Sequence, residues 1–391
     1  MSEPGDRISK CVLERYRALP KRGKPASKGG GKQEWTVLAG IVVEDTSSDS
    51  LECVALGTGL KCLHRKQLSR FGDRVHDSHA EIVARRAFCA YLAGELRSPT
   101  SSVLVGAAGS GTHRLRDGLR IHLYTSQCPC GDASVSTPPD SDDRPGGCGS
   151  KRRRVEASTD TRGHQDPTAL GILRTKPGRT DAVPTLSMSC SDKIARWNVL
   201  GVQGSLLALH IAPIYLNSVV IGGQFDPAAV DRALNQRIAD IDRAHLPAGF
   251  RVNCCTVVRT VLPFEHSRTA VGASAITADA SLCWLAGGTA AAALVNGAKQ
   301  GAPPPPQARC LAASQRPAIC KLTLFTAIAE LPRPELADTY RQAKQQATDY
   351  QAAKEALLGL PRFGDWVQCP AEFEQFDRTG CCKPPPPPAH D

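Results

Sequence analysis

The segment "DSHAEIVARR", residues 77–86, puts a histidine and a glutamate two residues apart at the start of a helical pattern. An imidazole can bind a metal, and a glutamate that does not bind it can carry protons, so His79 and Glu81 could serve one hydrolytic centre. At a helix start both side chains can point into one pocket before the helix is buried. A catalytic zinc needs three protein ligands and an open fourth position. "PCGDA" offers Cys130, with Ala133 where a C-x-x-C pair would place its second thiol. "SMSCSDKIARWN" offers Cys190, just ahead of a helix that Ser191 or Asp192 can cap. Both sulfurs would then sit at helix beginnings, where the positive dipole end favours a thiolate. The plainer alternative is two buried thiols among sixteen cysteines.

Cations accompany these residues. Arg85 follows Glu81 by four positions and Arg86 follows His79 by seven, so each shares a helix face with a candidate site residue, one or two turns deeper. Ile82, Val83, Ala87, Phe88 and Tyr91 leave little of that helix wholly polar, and a cation so placed is costly unless neutralised. Lys193, Arg196 and Trp197 repeat the pattern after Cys190, and Tyr340, Lys344, Ala347, Gln351 and Lys354 form a stripe at helical spacing flanked by Tyr350. One internal polyanion would satisfy them all. From spacing alone, a solvated basic surface facing RNA is the simpler reading.

The elements that must position these groups follow from periodicity. Residues 7–19 have helical spacing, and the basic stretch "PKRGKPASKGGGK" reads as a loop. "EWTVLAGIVVED" and "LECVALGTG" predict a hairpin about "TSSDS", followed by a helix from His79 to about Leu96 and a strand in "GLRIHLYTS". Residues 134–168 are Ser/Thr/Asp/Pro/Gly-rich with "KRRR" at 151–154, and are expected to be a disordered insertion. The stretch from "SCSDKIARWN" predicts two helices and a strand, "IYLNSVVI"; Asp226 and Pro227 then open a helix to about Asp242. Two or three strands are expected between Val252 and Val295, a surface connection at "PPPP" (303–306), and one long helix from Pro334 to about Leu358. Strands alternating with helices around one set of chemical residues predict an α/β fold with a helical C-terminal part.

A net charge of +10 favours a polyanionic partner without naming it. No run of apolar residues is long enough for a membrane helix, and "MSEPGDRISK" lacks the apolar core of a signal peptide. The expectation is an intracellular protein, cytoplasmic or nuclear, whose cysteines are thiols or metal ligands rather than disulfides.

Zinc deaminases share H-x-E and a downstream P-C-x-x-C. The order HAE, PCGD, SCSDKIARWN, DYQAAK and GDW resembles more narrowly the adenosine deaminases that act on RNA, from about Ile8 to Phe376. "ILRTKPGR" followed by "LSMSCSDKIARWNVLGVQGSLL" is most similar to the tRNA-specific branch, which edits the purine 3′ of the anticodon in alanine tRNA. The resemblance implies a cytidine-deaminase-like mixed sheet with surrounding helices and a helical C-terminal part enclosing inositol hexakisphosphate. It implies His79, Cys130 and Cys190 as zinc ligands and Glu81 as the proton shuttle. For the polyanion it implies Arg85, Arg86, Lys193, Arg196, Trp197, Lys299, Tyr340, Lys344, Tyr350, Lys354 and Trp366, which reverses the preference for a surface array. Asp77 and Lys193 would relay hydrogen bonds between the two sites. The expected organisation is residues 1–34 as an N-terminal helix and basic linker, 35–380 as the deaminase domain, and 381–391 as a proline-rich tail.

Arg174, Lys176 and Arg179, on a loop between the two cysteines, are expected to grip RNA phosphates near a flipped base, with Lys61 and "PKRGKP" as further contacts. Departures from the family pattern are His76 for an asparagine, Leu60 for a small polar residue, Cys369 for a lysine, and an extra thiol, Cys128. Competing expectations are a deaminase of duplex RNA, for which there is no room before Trp35 to hold a duplex-binding domain, a free-nucleoside deaminase, for which P-C-x-x-C is missing, and a non-catalytic zinc-bearing RNA-binding protein, in which Glu81 would have no role.

Overall fold

The computed structural model describes the chain except residues 1–2, 107–111, 136–168, 178–182, 184, 224, 289, 307, 332–333 and 383–391. Residues 136–168 of the predicted insertion, with its "KRRR" run, Arg179 and residues 383–391 of the proline-rich tail therefore lie outside the described residues.

An eight-stranded mixed sheet carries the fold. Its strands in chain order are β1 (Leu38–Asp45), β2 (Ser50–Thr58), β3 (Leu119–Thr125), β4 (Ser218–Ile221), β5 (Thr256–Arg259), β6 (Ser281–Leu285), β7 (Ala292–Val295) and β8 (Ala298–Lys299). They lie in the order β5-β4-β3-β1-β2-β6-β7-β8. β3, β4 and β5 run parallel, and the remaining neighbours are antiparallel. The main helices are α1 (Pro4–Ala18), α2 (Ala80–Arg97), α3 (Cys190–Leu200), α4 (Pro227–Leu234), α5 (Lys321–Ala329), α6 (Tyr340–Gln345) and α7 (Thr348–Leu358).

Alternation along β1 decides what covers each face. Ala39, Ile41 and Val43 point to a core shared with α2 and α3, while Leu38 and Val42 point to Val12, Leu13 and Tyr16 of α1. Gly40 permits this close approach, because a Cβ there would lie 2.6 Å from a Val12 methyl. A third cluster joins Ala195 and Val199 of α3 to Tyr350, Ala353 and Leu357 of α7. Each large aliphatic side chain so buried contributes about 1.5–3 kcal/mol. α2 and α3 are thereby wedged between sheet and C-terminal helices, with their N-termini held on one side of the core.

The hairpin and the helices at 7–19 and 79–96 form nearly as the patterns predict. Four expectations fail. The second helix after Cys190 is only a 3-10 turn, Leu207–Leu209. The helix capped by Asp226 stops at Leu234, where the Asn235 amide turns to the Cys255 carbonyl at 3.1 Å and to Asp231 at 2.8 Å. The described residues of 252–295 hold four strands, the extra one being Ala275–Thr277, which pairs with Gln33–Trp35. The long C-terminal helix is two, because Ala347 leaves helical geometry at ψ 69° between α6 and α7. α5 escaped prediction because "KLTLFTAIA" is apolar nearly all round and has no helical stripe.

Candidate active site

His79 ends a short strand, Asp77–His79, paired with Leu60–Cys62, and occupies the N-cap of α2. Glu81 follows in the first turn and is buried. Cys130 lies in the loop after β3, and Cys190 opens α3, whose cap Ser189 accepts the Asp192 amide. The loops meet closely at Gly131, at φ +104°, where a Cβ would fall 2.1 Å from the Ser189 hydroxyl. Glycine alone allows that approach. The Cys190 amide donates to Cys130 Sγ at 3.3 Å and the Ser191 amide to the Cys130 carbonyl at 3.0 Å, locking one loop onto the other.

The ligand atoms of His79, Cys130 and Cys190 lie within 4.8 Å of one another. His79 Nδ1 is 3.8 Å from Cys130 Sγ and 3.6 Å from Cys190 Sγ. Tetrahedral zinc with ordinary bond lengths separates a sulfur and a nitrogen ligand by about 3.5 Å, so the donor set fits that ion. Glu81 Oε2 lies 3.2 Å from Cys190 Sγ, beside the trio. Burial, and then the Cys130 sulfur, push the Glu81 carboxyl up, as suits a group that must both take and give a proton. Cys130 is held well below the ordinary thiol range, first by its hydrogen bond with Cys190, while burial and Cys130 push Cys190 well above it. Cys62, Asp77 and His79 also cluster, but Asp77 is engaged by two ammonium groups. Cys128 donates to the Ala133 carbonyl at 3.2 Å and is pushed up to about 12 by burial, so it is a protonated thiol.

Lys176 corrects an expectation. Read as an exposed grip on RNA, it is 2 % exposed, and its ammonium lies 2.8 Å from Asp77 Oδ2 and 3.2 Å from Cys190 Sγ. The strand-like exchange between residue 176 and residues 185 and 187 turns the side chain inward. Lys193 Nζ reaches the same Asp77 oxygen at 2.5 Å. Burial would raise Asp77, but Lys176 and Lys193 hold its carboxyl well below the usual range.

Behind α2 lies a cavity of about 340 Å³. Arg85, Arg86, Lys193, Arg196, Trp197, Tyr340, Lys344, Tyr350, Lys354 and Trp366 all line it. Arg85 Nε donates to the Val202 carbonyl and Arg86 Nε to that of Ile319, each at 2.6 Å, which aims their free edges inward. Among the described residues, eight Lys and Arg side chains and two carboxylates, Asp77 and Glu374, line the cavity. Burial, then Arg196 and Lys344, push Lys354 down, the mark of a cation without enough counter-charge.

A known protein domain family, the adenosine-deaminase (editase) domain, matches residues 55–370. The chain belongs to this family. It is 29% identical to human "tRNA-specific adenosine deaminase 1" over 95% of this chain and 99% of that protein. The Schizosaccharomyces pombe protein of the same name is 37% identical over 59% of this chain and 61% of its own length. Mouse "Double-stranded RNA-specific editase B2" is 31% identical over 95% of this chain but only 50% of its own.

Within this editase domain, Lys299 is the second correction. It lies on β8 at the far edge of the sheet and faces a separate groove with Arg22, Trp284 and Gln300, because the β7–β8 turn carries it away from the helices. Lys321 lines the cavity instead, 3.1 Å from Glu374. Its signal was a lone lysine in an apolar run, the same sign that marked Arg85 and Arg86. His76 and Cys369, two of the four departures from the family pattern, also line the cavity. Lys61 is half-exposed and pairs with Asp279 at 3.4 Å, and Arg174 donates to the Ala169 carbonyl at 2.5 Å. Among the described residues no helix is long and apolar enough to cross a membrane.

Proposed function

We propose that this adenosine deaminase is a zinc-dependent hydrolase converting adenosine to inosine in tRNA, next to the anticodon of alanine tRNA, with inositol hexakisphosphate in its basic cavity. The observation that carries the reading is an unligated, buried carboxyl, Glu81, beside a three-donor site. A structural metal site needs no such group. His79, Cys130 and Cys190 would hold the ion, which when bound supplies the Lewis acidity that makes water nucleophilic near neutral pH.

The chain's own groups do the rest. Glu81 takes one proton of the attacking water and places it on adenine N1 as the oxygen adds to C6. It then takes the proton of the new C6 hydroxyl and hands it to the C6 amino group, which departs as ammonia as the C6 carbonyl forms. Asp77, holding Lys176 and Lys193, fixes an ammonium against the Cys190 sulfur and offsets the negative charge of two thiolates. Arg85, Arg86, Lys193, Arg196, Lys321, Lys344 and Lys354 would hold the polyphosphate, and Tyr340, Tyr350 and Trp366 would pack around it. Lys61 and Arg174 stand as candidate contacts to tRNA.

The tRNA assignment rests on relatives whose names specify tRNA and which match nearly end to end. Purified protein with unmodified alanine tRNA should yield inosine, and Glu81→Ala should yield none. Inosine from the variant would remove the mechanism; activity on duplex RNA but not tRNA would favour the alternative raised by the duplex-editing relatives.

A further inference from the structure

Arg232 and Arg237 line neither the His79–Cys130–Cys190 trio nor the basic cavity. Each nevertheless ends on an aspartate two residues beyond a cysteine of the trio. Asp132 follows Cys130 and Asp192 follows Cys190, and both carboxylates are fully buried. Arg232, in α4, has Nε 3.1 Å from Asp132 Oδ2, and its Nη2 donates to the Asp132 carbonyl at 3.0 Å and the Val135 carbonyl at 2.7 Å. Arg237, in the 3-10 turn Gln236–Ile238 that follows, has Nη1 2.6 Å from Asp192 Oδ1.

Each aspartate gives its second oxygen to the segment that carries Lys176. The Gly171 amide donates to Asp132 Oδ1 at 2.8 Å, and the Arg174 amide donates to Asp192 Oδ2 at 2.9 Å. The same arrangement thus occurs twice: arginine, aspartate, then one end of residues 171–174, with a cysteine of the trio two residues before each aspartate. Stability is a poor reason for it. Arg237 is wholly buried, and its Nε and Nη2 have no hydrogen-bond partner among the described residues. Such a pair gains little over apolar packing, whereas its geometry is strict.

We infer that Arg232 and Arg237 are positioning residues that fix, from one short helical segment, the separation of the two cysteine-bearing loops and the seat of the Lys176 segment against both. This rests on the metal-centre reading above. Removing one arginine frees one loop and one end of the Lys176 segment, and leaves the other in place.

Arg232→Lys and Arg237→Lys, in the full chain, keep the charge and lose the planar guanidinium, and with it the several donors of Arg232 and the Nη1 contact of Arg237 to Asp192. Peptide-resolved amide exchange should rise about tenfold or more at residues 130–135 and 171–173 in Arg232→Lys, and at 174–176 and 190–193 in Arg237→Lys. α1 and β1 should be unchanged in both. With cobalt(II) in place of zinc, each variant should shift the ligand-field bands and lose the ion to a chelator about tenfold faster or more. Exchange and chelator release within about twofold of the parent, or exchange raised evenly through α1 and β1, would overturn the inference. If Arg237→Lys does not fold, Arg232→Lys decides alone. The exchange readout needs no metal, so a parent chain that binds none defeats the metal-centre reading while the exchange pattern still judges the positioning role.

Discussion

Lys176 and Asp77 form a buried ion pair, 2.8 Å between Nζ and Oδ2, that touches the sulfur of Cys190 on one side and the ammonium of Lys193 on the other. Lys193 in turn lines the basic cavity, so two side chains span the distance between the cysteine sulfur and the cation cluster. Charges this deep are tolerated only as a complete set.

Lys176→Met should therefore cost about 3–5 kcal/mol of stability, because Asp77 is left with one cation. Urea denaturation measures it. The variant should also bind zinc more weakly, since the ammonium no longer offsets the thiolates. A loss of RNA affinity with unchanged stability would instead restore the exposed-contact reading.

Glu81→Gln keeps the shape of the side chain and removes proton transfer. Zinc content should stay near one per chain, and kcat should fall by about 10²–10⁴-fold. Single-turnover inosine formation and metal analysis check both, and a variant that loses its metal would make Glu81 a ligand.

Lys321→Ala and Lys299→Ala separate the cavity found from the one expected. Losing one charge-assisted contact costs about 1.5–3 kcal/mol, so Lys321→Ala should carry much less inositol phosphate after purification. Lys299→Ala should carry as much as the parent. Assay of the phosphate released on denaturation decides, and no inositol phosphate in the parent would end the assignment.

His76 predicts a pH dependence. Burial, then Lys321 and Arg86, lower its pKa from 6.5 to about 3, so the folded chain keeps it neutral. The unfolded chain takes up a proton below about pH 6.5. The sign follows: stability from this group is complete above that pH and is lost on acidification, at about 1.4 kcal/mol per pH unit, until about pH 3. A polyphosphate in the cavity favours the imidazolium and opposes the loss. Denaturation at several pH values, with and without added inositol phosphate, should show the steeper fall without it, and His76→Asn should flatten the difference.

Sequence alone determined the chemistry-bearing residues that lie on strong local patterns. His79, Glu81, Arg85 and Arg86 share one helix, so their order fixes their faces; Cys190, Lys193, Arg196 and Trp197 share another. The hairpin and α2 were legible for the same reason, a period repeated long enough to exclude the alternative. Tertiary structure decided what local order cannot encode. Lys176 and Lys299 each sit in a short polar or small-residue stretch, where exposure depends on which neighbour the backbone pairs with. Pairing with residues 185 and 187 buried the first, and the β7–β8 turn sent the second to the far edge. Lys321 joined the cavity only because α5 packs across from α2, and the double bridge joins Asp132 to Arg232, 100 positions apart, and Asp192 to Arg237, 45 positions apart. Periodicity reports which face a side chain takes on its own element; only packing between elements reports what that face meets.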